Sequence, residues 1–193
     1  SVPTDVSIDR GEILLPIARG SIASALGQPM TAREDAPWLR ERGATFVTLT
    51  QNGDLRGCIG TLEAHRPLLE DVKANALAAA FHDPRFSPLQ IPELACTRVE
   101  VSLLSPAQAM RFESEQDALA QLRPEVDGVI FEYGYYRSTF LPQVWEQLPD
   151  PDIFLAQLKR KAGLSASFWA EEIRLSRYTV TKWKEPQREV NAA

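Results

Sequence analysis

Cysteine and histidine are scarce in this chain: two of each in 193 residues, Cys58, Cys96, His65 and His82. No two of them have ligand-type spacing, so no metal centre is expected, and two isolated cysteines build no disulfide framework. With no charged-then-apolar leader pattern at the N-terminus, this points to a reducing, cytoplasmic setting. Long apolar runs are missing as well, none approaching the roughly 20 residues of a spanning helix, so no membrane insertion is expected. A basic stripe is also lacking: 21 Lys and Arg stand against 26 Asp and Glu, a formal net charge of −5, with the cations spread along the chain. A nucleic-acid backbone, which selects for clustered Lys and Arg, is therefore not the expected partner.

What is present is a 44% hydrophobic chain long enough for a sizeable core. Helical spacing of Leu14, Ile17, Ala18, Ile22 and Ala25 predicts a first helix over 9–26, stopped by Gly27-Gln28-Pro29. A short turn is expected over 38–42 and a second helix after Pro67. Further helices are expected over 114–122, 152–162 and 168–172. Alternation predicts strands through Val99–Leu103 and from Leu175 to Trp183, and a hairpin of 129–132 with 136–140 turning near Gly134. Helices and strands intermingle without a βαβ rhythm, so the predicted class is α+β, a mainly antiparallel sheet flanked by helices. One domain is expected over 8–185, followed by a flexible tail at 186–193.

The segment Asp54-Leu-Arg-Gly-Cys-Ile-Gly60 demands an explanation, because glycine weakens a strand and an arginine and a cysteine stand between the glycines. It follows Asn52-Gly53, the pair suited to a type I′ turn. A two-residue loop would place Thr50 opposite Leu55, Leu49 opposite Arg56, Val47 opposite Cys58 and Phe46 opposite Ile59. Strict alternation then puts Arg56 and Cys58 on one face, with Leu55 and Ile59 on the packed face.

Leu-Arg-Gly-Cys-Ile-Gly-Thr-Leu-Glu, Ala-Ala-Phe-His-Asp-Pro-Arg-Phe-Ser-Pro-Leu, Val-Glu-Val-Ser-Leu-Leu-Ser-Pro, the stretch 127–149 and Phe154–Leu164 occur in order. Together they resemble the AMMECR-type domain, the protein A member of the AmmeMemoRadiSam system, from about Gly43 to Trp183. Arg56–Gly60, Asp83–Phe86 and Phe140–Val144 carry the match. Ser138 departs from a position where members often have glycine, and Lys159 from one where many have a second cysteine. The resemblance implies two lobes with the Arg-Gly-Cys segment lining a cleft between them, and association with a Memo-type protein and a radical SAM protein. It implies no reaction and no cofactor.

Cys58 is the candidate nucleophile, since a neighbouring guanidinium favours a thiolate; the competing reading is a small apolar residue filling a strand. A cysteine–histidine mechanism is disfavoured, because His65 and His82 fall in turn and loop positions. Arg56 is the candidate anchor for a carboxylate or phosphate, with Gly57, Gly60 and Thr61 exposing backbone N–H groups to a ligand. Arg137, Glu132 and Gln143 are further candidate ligand-binding residues, polar groups within apolar runs. Against this, Arg56, Arg85 and Arg137 could each pair with a structural acid such as Asp83, Glu63 or Glu132. The expected function is binding of a small polar or anionic ligand, or a modified side chain. The alternative is a non-enzymatic module that docks a partner protein.

Overall fold

A computed structural model describes residues 9–187, so residue 8 and the expected tail from 188 onward lie outside the described residues. The chain divides into two compact units, one running to Leu104 and resuming at Thr181, the other spanning Ser105–Val180.

In the first unit, Asp9 caps α1 (Arg10–Ala25) by accepting from the Gly11 N–H at 3.0 Å, which satisfies an otherwise orphaned donor. A 3-10 turn (Pro37–Arg40) leads into β1 (Ala44–Gln51) and β2 (Asp54–Gly60), followed by α2 (Leu68–Phe81), the one-turn α3 (Ile91–Leu94) and β3 (Arg98–Leu104). With β8 (Val180–Lys184) these strands form a sheet in the order β2-β1-β3-β8. Leu14, Ile17 and Ile22 of α1 and Val72, Ala76 and Ala79 of α2 share one core with Val47, Leu49, Val99 and Val101. The run of small side chains on α2 lets that helix lie close against β1 and β2.

The second unit carries β4 (Gln108–Ala109), α4 (Glu115–Gln121), β5 (Gly128–Tyr133), β6 (Tyr136–Phe140), α5 (Pro151–Ala162) and β7 (Arg174–Tyr178). Its sheet runs β4-β7-β5-β6 with antiparallel pairing throughout. Phe131, Trp145, Phe154, Leu158 and Leu175 centre its core, with the Trp145 and Phe154 rings stacked at 3.7 Å. The class is α+β, as expected, with two four-stranded sheets.

Two expected elements differ. The single strand from Leu175 to Trp183 is two strands in two sheets. Thr179 breaks it by exchanging hydrogen bonds with Ser105, its carbonyl accepting from Ser105 N–H and its own N–H donating to Ser105 Oγ, both at 2.8 Å. No helix forms over 168–172; isolated turns replace it, because Phe168 and Trp169 pack onto the core instead of following a helical face. Glu185, just beyond β8, is held by the Arg19 guanidinium at 2.6 and 2.7 Å and by the Val99 N–H at 2.8 Å.

Candidate functional site

Asn52 and Gly53 have φ of 52° and 82°, the left-handed pair a type I′ turn requires, so the β1–β2 hairpin turns where the sequence says. The register beyond it does not follow strict alternation. Thr50 faces Leu55, but Leu49 faces Gly57, Thr48 faces Cys58 and Val47 faces Ile59. Arg56 is the additional residue of a β-bulge, which re-aims its side chain and shifts every later pairing by one. Leu55 consequently lies 41% exposed instead of packed, while Ile59 rests against the core.

Arg56 is 9% exposed. Its Nε donates to Glu93 Oε1 at 2.9 Å and its Nη2 to Glu93 Oε2 at 3.2 Å and to the Ser87 carbonyl at 2.9 Å. Nη1 is buried and has no hydrogen-bond partner among the described residues. The guanidinium holds the Glu93 carboxyl below its ordinary pKa and lies 5.8 Å from the centre of the Phe86 ring. Arg56 thus clamps the 82–94 segment to β2, and its fork is committed to Glu93 rather than offered to a ligand.

The glycines have packing reasons. A Cβ on Gly57 would stand 2.1 Å from the Ala79 carbonyl oxygen of α2, and one on Gly60 would stand 2.1 Å from the Phe46 ring. Close approach of a helix at Gly57 and of an aromatic ring at Gly60 leaves no room for a side chain at either position. Thr61 belongs to a polar knot around the fully buried Asp71. That carboxylate accepts from Thr61 Oγ1 at 2.8 Å, from Thr45 N–H and Oγ1 at 2.7 Å each, and from Arg66 Nε at 2.8 Å.

Cys58 is half-buried. Its Sγ lies 3.3 Å from the Thr48 hydroxyl, its N–H donates to Asp83 Oδ2 at 2.9 Å, and its carbonyl accepts from Arg85 Nη2 at 3.4 Å. Asp83 is 4% exposed and also accepts from the Arg85 N–H at 3.1 Å, Nε at 3.0 Å and Nη2 at 2.7 Å. The Arg85 guanidinium, with the Cys58 and Arg85 N–H groups, holds this carboxyl far below the usual carboxylate range despite burial. Arg85 itself is open to solvent, its side chain 55% exposed, and it stacks 5.4 Å from the Phe86 ring centre. The Asp83-Pro-Arg85-Phe86 loop therefore latches onto the thiol-bearing strand, and the two sequence segments form one constellation.

Glu132, Arg137 and Gln143 belong to the second unit. Glu132 and Arg137 are cross-strand partners on β5 and β6, their charged groups 3.7 Å apart; Arg174 approaches the same carboxylate at 3.4 Å. Gln143 is exposed on the 3-10 turn after β6. His65 lies 3.0 Å from the Glu63 carbonyl through Nδ1, and His82 ends α2. Two contributors escaped the sequence reading: Thr48, hidden in an ordinary strand, and Glu93. The latter's signal was the Gln90…Glu93 spacing, a capping box that opens α3. Among the described residues, no three or more His, Cys, Asp or Glu side chains are grouped to hold a metal ion. No described helix is long and apolar enough to cross a membrane.

In this α+β chain the Arg-Gly-Cys strand is thus latched by the Asp-Pro-Arg-Phe loop. The AMMECR1 family model matches residues 15–183, and the chain belongs to that family. A protein of Methanothermobacter thermautotrophicus is 39% identical over 90% of this chain and 93% of its own. Protein MJ0810 of Methanocaldococcus jannaschii is 34% identical over 96% of each. The crystal structure of the uncharacterized protein PH0010 from Pyrococcus horikoshii superposes with a TM-score of 0.74 at 33% identity, covering 92% of each chain.

Proposed function

We propose that the chain binds a small polar or anionic ligand, or a modified side chain, at the Cys58–Asp83–Arg85 constellation. The observation that carries this reading is the convergence of a half-buried thiol and a solvent-open guanidinium on one residue of a strand, with that guanidinium fixed in orientation by a buried carboxylate. A guanidinium whose Nε and Nη2 are held can offer its remaining edge to a carboxylate or phosphate without losing much side-chain freedom. In this reading Arg85 is the anchor and Cys58 the group that touches the ligand. Arg56, which the sequence suggests as anchor, braces the loop that carries Arg85 through Ser87 and Glu93. Memo-type and radical SAM proteins, the partners the family resemblance implies, would supply or receive that ligand.

A thermal-shift screen of small carboxylates and phosphates tests it on the wild type, Arg85→Lys and Cys58→Ser. The expected result is a compound that raises the wild-type melting temperature and not that of Arg85→Lys, which keeps the charge beside Asp83 but loses the fork. Equal stabilisation of both proteins would remove Arg85 as anchor.

A further inference from the structure

We infer that the ligand is a polypeptide: an extended segment with an acidic side chain, adding to the outer edge of β2 at Gly60 and giving its carboxylate to Arg85. The inference rests on the reading above and narrows its ligand class. β2 is the outermost strand of its sheet. Which of its main-chain groups face outward follows from the register. Thr61 N–H donates to the Thr45 carbonyl at 2.9 Å, and the pairing Phe46 to Gly60 continues through Val47 to Ile59 and Thr48 to Cys58. Main-chain groups alternate in direction along an antiparallel ladder, so Thr61, Ile59 and Gly57 point theirs at β1 and Gly60 and Cys58 point theirs away from it. The Cys58 N–H to Asp83 bond agrees with that parity.

The two outward positions are treated differently. At Cys58, Asp83 accepts from the N–H and Arg85 donates to the carbonyl, so this side-chain pair stands where a neighbouring strand would. At Gly60, the N–H and C=O have no such substitute among the described residues. An unmet donor and acceptor on one edge residue match the complementary pair of an extended peptide, which an inorganic anion does not have. The two positions are two residues apart along β2, about 6.6 Å, the repeat of a ladder. A peptide residue opposite Gly60 would therefore have its chain neighbour beside the Asp83–Arg85 latch. Of the two latch charges, the Asp83 carboxylate is buried under four donors, whereas the Arg85 guanidinium faces solvent. Charge complementarity makes the occupant acidic.

The probe is a capped pentapeptide pool with Glu at the centre and the other positions randomised, titrated to millimolar into isotopically labelled protein. The expected result is a shift of the Gly60 amide and the Arg85 side-chain resonances. A pool with central Gln, or the Arg85→Lys protein, should need at least tenfold more peptide for the same shift. Pools N-methylated at the residues on either side of Glu should lose the response, and pools methylated at the Glu itself should retain it, or the reverse, because only alternate amides face β2. Indifference to methylation, equal response to the Gln pool, or no response at Gly60 would overturn the inference. If small carboxylates then still stabilise the wild type and not Arg85→Lys, the ligand site stands without the peptide; silence in both experiments retires both.

Discussion

Asp83 accepts the outward-facing N–H of Cys58 at 2.9 Å, and through this bond a loop beyond α2 takes the place of a fifth strand on the edge of β2. Open strand edges invite pairing with other chains, and a side-chain latch blunts one position of that edge.

The Asp83 carboxyl titrates below its ordinary value in the folded chain, so its bonds favour the folded state fully above about pH 4 and progressively less as the pH falls below that value. Asp83→Asn should cost about 2 kcal/mol at neutral pH, the scale of hydrogen bonds to a charged, buried acceptor. Urea denaturation should show that deficit constant from pH 8 to 5 and shrinking below 4. Glu93, depressed by Arg56, acts in the same direction.

Arg56→Ala should destabilise more than Arg85→Lys. The first strips Glu93 and the Ser87 carbonyl of their partner in a largely buried place, a loss of about 2–3 kcal/mol. The second keeps a cation beside Asp83 at an open, solvent-screened position and should cost clearly less. Chemical denaturation of the two variants checks the order; a cheap Arg56→Ala would return that residue to the role of ligand anchor.

Gly57→Ala should be worse tolerated than Gly60→Ala. The new methyl at 57 meets a backbone carbonyl of α2, which can move only with the helix, whereas at 60 it meets the Phe46 side chain. Overpacking of this kind costs about 1–3 kcal/mol, more where backbone must yield. Midpoints of urea unfolding decide it, and equal midpoints would contradict the helix-contact explanation of Gly57.

Cys58 should react with limiting iodoacetamide before Cys96 in the native protein, read by peptide mass spectrometry at neutral pH. Both thiols are half-buried, but Cys96 Sγ donates to the Glu93 carbonyl at 3.3 Å at the end of α3, while Cys58 lies beside the Arg85 guanidinium. Cys58→Ser should retain stability to within about 1.5 kcal/mol, because the site is not a tightly packed core position. Preferential labelling of Cys96 would leave Cys58 as a packing residue.

Local chemistry alone determined a good deal of this protein: the Asn52-Gly53 turn, the first helix and its stop at Gly27-Gln28-Pro29, the second hairpin and the α+β class are each legible because a few neighbouring residues decide them. The family likewise follows from short ordered segments. Tertiary structure decided what those segments mean. The bulge at Arg56 depends on Glu93 and Ser87, 37 and 31 residues away, and on the α2 carbonyl that excludes a side chain at Gly57. Strict period-2 alternation could not include a residue inserted to satisfy contacts that far along the chain. The partition of the last strand between two sheets has the same origin, since Ser105, 74 residues from Thr179, supplies the bonds that break it. Sequence names the thiol and the guanidinia; only long-range hydrogen bonding chooses Arg85 over Arg56 as the one left facing solvent.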